Sequence, residues 1–114
     1  KPQFILVSAG FDGHYSDPIG ELALSTFCYA ETFEKILALA SKLCDGKLVA
    51  ILEGGYSQDF LGIIATAVIA KMSGATYSIK DKQLTATPRI RKRAEEVLNE
   101  VKNIQSSFWQ IKTN

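Results

Sequence analysis

The sequence predicts an α/β protein built on parallel strands, and three observations carry that prediction. Two short apolar runs, Phe4 to Val7 and Lys47 to Leu52, read as strands, and each stops in a glycine-containing turn bearing a polar side chain. A long stretch with helical apolar spacing separates them. Continuous apolar runs mark strands buried on both faces of a parallel sheet, and strand–helix–strand order gives a β-α-β unit with a right-handed crossover.

The first strand is expected over about Gln3 to Ala9, followed by a loop from Gly10 to Gly20. Within it Asp17-Pro18 marks a turn, because proline fixes its own φ and pushes the preceding residue away from helix. A helix follows from Ser25 or Thr26 to Leu43, with Phe33, Ile36, Leu37, Ala40 and Leu43 on one face, and Asp45-Gly46 ends it. After the second strand, Ser57 or Asp59 is expected to cap a helix from about Phe60 to Met72, whose inner face is Leu61, Ile64, Ala65, Val68 and Met72. Residues 75–86 alternate weakly and read as a loop. Thr87-Pro88 then opens a long terminal helix, with proline at its first position and an apolar stripe from Ile90 to Phe108. The architecture is therefore β-α-β-α plus a long terminal helix.

Composition bounds the possibilities. The chain has 114 residues, 46% of them hydrophobic, which suits one globular unit with a real core. Thirteen basic residues against twelve acidic leave a formal charge of +1, so bulk charge steers it toward neither nucleic acid nor membrane. Arg89, Arg91, Lys92 and Arg93 are interleaved with Glu95, Glu96 and Glu100, the pattern of a solvated helix face, so no nucleic-acid partner is expected. No apolar run approaches a membrane span and no signal peptide precedes the first strand, giving an expectation of a cytoplasmic location with no membrane partner. Cys28 and Cys44 fall at opposite ends of one predicted helix, too far apart to pair, and are expected as reduced, buried thiols.

The chemistry concentrates behind the two strands. Asp12 follows the first strand and Tyr56 the second, so parallel strands would bring both to one rim, where open α/β sheets place ligands and catalytic groups. On spacing alone Asp12 reads equally well as a turn cap between Gly10 and Gly13. Tyr56 alone reads as an aromatic packed beside a turn.

Three linked motifs carry a resemblance. V-S-A-G-F-D-G-H at Val7 to His14, D-P-I-G at Asp17 to Gly20 and L-E-G-G-Y at Leu52 to Tyr56 resemble the zinc-dependent histone deacetylase family, with its acetoin-utilisation and acetylpolyamine-hydrolase branches. The resemblance runs from Phe4 to about Gly74, with a looser match in the terminal helix. It implies the arginase/deacetylase-type parallel sheet and a parent that hydrolyses an acetyl-lysine-type amide at zinc. By motif match Asp12 is one of about three zinc ligands, and Tyr56 is the hydroxyl that stabilises the oxyanion. Gly54 and Gly55 leave room for acyl group and substrate, and Ile19 lines the rim of the acyl channel. An acidic residue at the Ile19 position attracts cationic substrates in polyamine-preferring relatives, so isoleucine favours acyl-lysine over acetylpolyamine. His14, the one histidine, is expected to fix the loop by hydrogen bonding or to face solvent rather than act as base, and Asp17 and Glu53 to serve as structural partners.

No Asp-x-His motif, histidine pair or zinc-binding glycine-rich loop occurs in these residues. Residues 1–114 therefore read as a single unit, the carboxyl-terminal fragment of a deacetylase domain, whose first partner is the missing amino-terminal part. Alone, the chain is expected to bind zinc weakly or not at all and to lack turnover. The rival reading is a truncated non-catalytic homologue acting as an interaction or self-association module through an exposed sheet edge. A ureohydrolase-type reading with two manganese ions ranks third, because a single Asp12 and the Gly-Gly-Tyr turn fit it badly.

Overall fold

The computed structural model describes residues 1–111, which divide into two compact units, 1–84 and 85 onward. The first unit contains β1 (Ile5–Ala9), α1 (Thr26–Cys44), β2 (Leu48–Leu52) and α2 (Leu61–Ser73). The two strands pair in parallel, from Ile5 opposite Leu48 to Ala9 opposite Leu52. Their carboxyl ends are therefore level, which places the loops that follow them side by side.

One face of this two-stranded sheet is covered. Val7, Ala9 and Ala50 join a cluster with Phe11, Tyr29 and Phe33 and with Ile64 and Val68 of α2. The opposite face is not. Leu6 is 71% exposed and Ile51 54%, with Val49 beside them. The expectation of strands buried on both faces thus fails for half of each strand: α1 and α2 supply cover to a single side, and the alternating side chains of the other stand exposed.

The helices start and end close to the expected residues, but the details differ. In α1 Tyr29, Phe33, Ala40 and Cys44 are buried, while Ile36, Leu37 and Leu43 are only half-buried. Asp45 stops the helix in the left-handed conformation at φ 54°, followed by Gly46 at φ 77°. In α2 Ile64, Ala67, Val68 and Ala70 are buried, whereas Met72 is exposed at the fraying end. No side chain caps α2; the main-chain carbonyl of Ser57 accepts from the amides of Phe60 at 3.3 Å and Leu61 at 2.9 Å instead. Neither the Ser57 hydroxyl nor Asp59 performs the expected capping, and the Ser57 hydroxyl is engaged elsewhere. Of the two free thiols Cys44 is buried and Cys28 only partly so.

The second unit is α3 (Pro88–Gln105), whose N-cap Thr87 side chain accepts from the Ile90 amide at 3.4 Å. Its apolar stripe, Ile90, Val97, Leu98, Val101 and Ile104, is exposed. Arg93 meets Glu96 at 3.3 Å on its surface, so the basic run is partly paired along its own helix. Among the described residues no helix is long and apolar enough to cross a membrane.

Candidate active-site rim

The loop from Gly10 to Gly20 is built by main-chain bonds before any side chain contributes. The Phe11 amide donates to Gly54 O at 2.8 Å and the Glu53 amide to Ala9 O at 3.2 Å, extending the sheet one step past both strands. Leu24 N to Gly13 O and Tyr15 N to Leu24 O then clamp the loop against the approach to α1, at 3.0 and 2.9 Å. Phe11 turns inward and meets Tyr29 edge-on, their ring centroids 5.3 Å apart. The residue after it, Asp12, is left at the rim.

Asp17 latches this loop to the turn after β2. One carboxylate oxygen accepts from the amides of Ile19 and Gly20 at 2.9 and 3.0 Å, and the other accepts from the amide of Tyr56 at 2.7 Å. Burial opposes ionisation, but the amides of Tyr56, Gly20, Ile19 and Ser57 outweigh it and hold the carboxyl below the ordinary aspartate range. Asp17 is thus the structural partner its sequence context implies. Glu53 shows no such side-chain bond among the described residues; its main chain does the bracing.

Asp12 is in the opposite condition. It is partly exposed, and among the described residues no group donates to its carboxylate. Two glycines make room for it: a Cβ on Gly10 or on Gly54 would stand 2.7 Å from Asp12 Oδ1. Gly20 closes from below, since a Cβ there would lie 1.6 Å from the Asp12 carbonyl oxygen. Behind it the Tyr29 phenol is pushed up by burial, with the Asp12 charge adding to the effect. A carboxylate at the rim that is short of donors is free to take a cation or a polar ligand.

Tyr56 has its amide held by Asp17 and its side chain 52% exposed, with no partner for the phenol among the described residues. Ile19 is also exposed, on the same loop as Asp12. Gly54 and Gly55 have a nearer reason for being glycine than substrate room. Gly54 makes way for Asp12, while Gly55, at φ 130°, lies where a Cβ would press on Phe11 and Leu61 at 3.0 and 3.1 Å.

His14 is fully buried and fixes the loop, the first of the two fates its position allows. Nε2 lies 3.1 Å from Asp81 Oδ2 and Nδ1 2.8 Å from Ser16 Oγ. Asp81 also receives the Thr26 amide at 2.7 Å and the Tyr15 hydroxyl at 2.8 Å. Burial raises the Asp81 carboxyl, but these donors overwhelm it and set it well below the usual carboxylate range. The Tyr15 phenol is pushed up by burial first and by its bond to Asp81 second. Sequence reading missed Asp81 altogether: it sits between Lys80 and Lys82 in a stretch without periodicity, and the one clue was a buried histidine in need of a partner.

The histone deacetylase domain model matches residues 1–72. The chain belongs to the histone deacetylase family. A probable deacetylase of Archaeoglobus fulgidus is 40% identical over 96% of this chain, which spans 33% of that protein. Zebrafish (Danio rerio) polyamine deacetylase HDAC10 is 32% identical over 95% of this chain, equal to 15% of its own length. The structure of the histone deacetylase Clr3 superposes with a TM-score of 0.73 at 30% identity, over 99% of this chain and 18% of that one. The fold is accordingly that of the arginase/deacetylase class, and the chain spans about a third or less of these histone deacetylase relatives. Among its described residues no group of three or more His, Cys, Asp or Glu side chains could hold a metal ion. Asp12 fits as one oxygen ligand; by itself it does not make a site.

Proposed function

We propose that this chain supplies the oxyanion side, and one ligand, of a zinc-dependent deacetylase centre that hydrolyses an acetyl-lysine-type amide. The observation that carries the reading is the donor-free Asp12 carboxylate, given its room by Gly10 and Gly54 on the rim that also presents Tyr56. Zinc, when bound, supplies the Lewis acidity that activates water and polarises the amide carbonyl. Asp12 holds one position of that ion. Tyr56, a neutral phenol on a turn anchored through its own amide, donates to the carbonyl oxygen as it gains negative charge. Ile19 gives the rim an apolar, uncharged lip, which favours acyl-lysine over a polycationic acetylpolyamine. Gly54 and Gly55 let the turn approach the loop closely enough for both groups to address one substrate. Free thiols at Cys28 and Cys44 fit a reducing, cytoplasmic setting.

The remaining ligands and the general base come from outside this chain, so the isolated chain is expected to bind zinc weakly and to show no turnover. The test is hydrolysis of an acetyl-lysine peptide by the zinc-loaded protein carrying this chain, by its Asp12→Ala and Tyr56→Phe variants, and by residues 1–114 alone. Turnover that survives either substitution refutes the assigned roles. Turnover by residues 1–114 alone, lost in both variants, refutes the need for further residues.

One observation favours a second reading. The open apolar face at Leu6, Val49 and Ile51 would serve a non-catalytic module that associates with its own kind. Concentration-dependent dimerisation indifferent to Asp12 and Tyr56 would favour it.

A further inference from the structure

We infer that Asp81 is a positioning residue for the Tyr56 turn, acting through a relay of the buried His14 and the half-buried Ser16 and Ser57. The inference rests on the reading that Tyr56 works on substrate. Its geometry stands independently of that reading.

The relay has a direction that elementary donor and acceptor rules fix. A carboxylate only accepts, so the His14 nitrogen that faces Asp81, Nε2, carries the proton. A main-chain amide only donates, so Nδ1, which lies 3.3 Å from the Ser16 amide, offers its lone pair. The Ser16 hydroxyl, 2.8 Å from the same nitrogen, then points its proton there and accepts from Ser57 Oγ at 3.0 Å. Every bond from Ser57 inward is aimed at Asp81. The carboxylate is the sink that sets the sense of the whole chain, and the chain ends one residue from Tyr56.

Packing leaves no slack in it. The His14 ring packs in a three-ring cluster with Tyr15 and Phe60, its centroid 4.3 and 4.6 Å from theirs, and both the His14 and Asp81 side chains are 0% exposed. Phe60 is the N-cap residue of α2, so the ring also sets where that helix begins relative to the turn. Asp17 holds the amide of Tyr56 from one side, and the Asp81 relay holds the hydroxyl of the following residue from the other. Two anchors on adjacent residues fix the direction in which the Tyr56 side chain leaves the main chain.

Replacing Asp81 by leucine keeps much of the volume but removes the sink, because no acceptor is left for the His14 Nε2 proton or the Thr26 amide that converge on Oδ2. The sequence contains a single histidine, so the imidazole nitrogen spectrum of the intact chain reports on His14 alone. The wild type is expected to show the Nε2–H tautomer. In Asp81→Leu that tautomer is expected to lose its dominance, and amide exchange at Tyr56 and Ser57 to rise about tenfold while Val68 within α2 stays protected. In the zinc-loaded protein carrying this chain, kcat on an acetyl-lysine peptide is expected to drop on the order of 10-fold to 100-fold, as for other outer partners of a site, with KM little changed. Ser57→Ala, a milder change, should leave the tautomer intact and still lower kcat. An unchanged tautomer and unchanged exchange in Asp81→Leu overturn the relay; if Asp81→Leu does not fold, unaltered exchange at Tyr56 in Ser57→Ala overturns it. Faster exchange with unaltered kcat overturns the positioning role. A wild-type protein without amide hydrolysis refutes the function proposed above, and the tautomer and exchange readouts then decide the relay by themselves.

Discussion

The rim and the outer face of the same two strands are made by opposite rules. At the rim nearly every polar group is matched: Asp17 and Asp81 between them take up seven donors, at distances from 2.6 to 3.1 Å. On the outer face Leu6, Val49 and Ile51 stand in a row with nothing over them among the described residues. The loop behind the rim is therefore braced by residues within this chain, whereas the outer face of the sheet stands exposed. Against that background the unmatched carboxylate of Asp12 and the unmatched phenol of Tyr56 stand out, because the surrounding loop shows that donors and acceptors could have been provided.

The comparison can be broken most severely at Gly20. Gly20→Ala puts a Cβ into the Asp12 carbonyl, with backbone on both sides and no flexible side chain to yield. It is expected to destabilise the first unit by about 3 kcal/mol or more, read from urea unfolding. A stability equal to wild type would show that the loop is looser than its bonds imply. Tyr56→Phe removes a phenol that has no structural partner, so it is expected to leave unfolding unchanged while turnover of the zinc-loaded protein drops on the order of 10²-fold to 10³-fold. Equal losses in both measurements would make Tyr56 a packing residue.

Acid sharpens the contrast differently. Asp17 and Asp81 both have carboxyls depressed in the folded state, so the stability they contribute is fully present above the unfolded aspartate value of about 3.9 and is lost as pH falls below it toward the folded values. Thermal unfolding is expected to be flat from neutral pH down to about 5 on this account, then to fall, with a shallower fall in Asp81→Asn. On the outer face, Ile51→Lys is expected to leave the unfolding curve within about 0.5 kcal/mol, and under the self-association reading proposed above it would also weaken that association in sedimentation. The smallest effect belongs to neither region: Lys71→Ala breaks an exposed pair with Glu34 at 2.7 Å and should cost under about 1 kcal/mol.

The sequence made some of this legible and concealed the rest for physical reasons. The strands, the crossover helix and the Gly-Gly-Tyr turn declare themselves through local periodicity and turn chemistry, and the structure places each within a residue or two. Which face of each strand is covered is not a local property, so the continuous runs at Ile5–Ala9 and Leu48–Leu52 looked buried on both sides. Met72 matched the helical repeat of α2 and still ends exposed, because helix ends leave the core before the pattern stops. The Ser57 hydroxyl looked like a helix cap, yet a tertiary partner at Ser16 claims it. Asp81 is the extreme case: its importance comes from His14, sixty-seven residues earlier, and nothing within its own neighbourhood announces it.

The level pairing of Ala9 with Leu52 also sets where the chain tolerates a change of length. One residue inserted into either strand would slide its loop by about 3.3 Å along the sheet and turn every side chain to the opposite face, separating the Asp17 carboxylate from the Tyr56 amide. The Asp45-Gly46 turn lies at the far end of the crossover, already left-handed, and a Cβ at Gly46 would meet no atom within 4 Å. A reporter peptide or cleavage site belongs there, where added length leaves the register of the rim untouched.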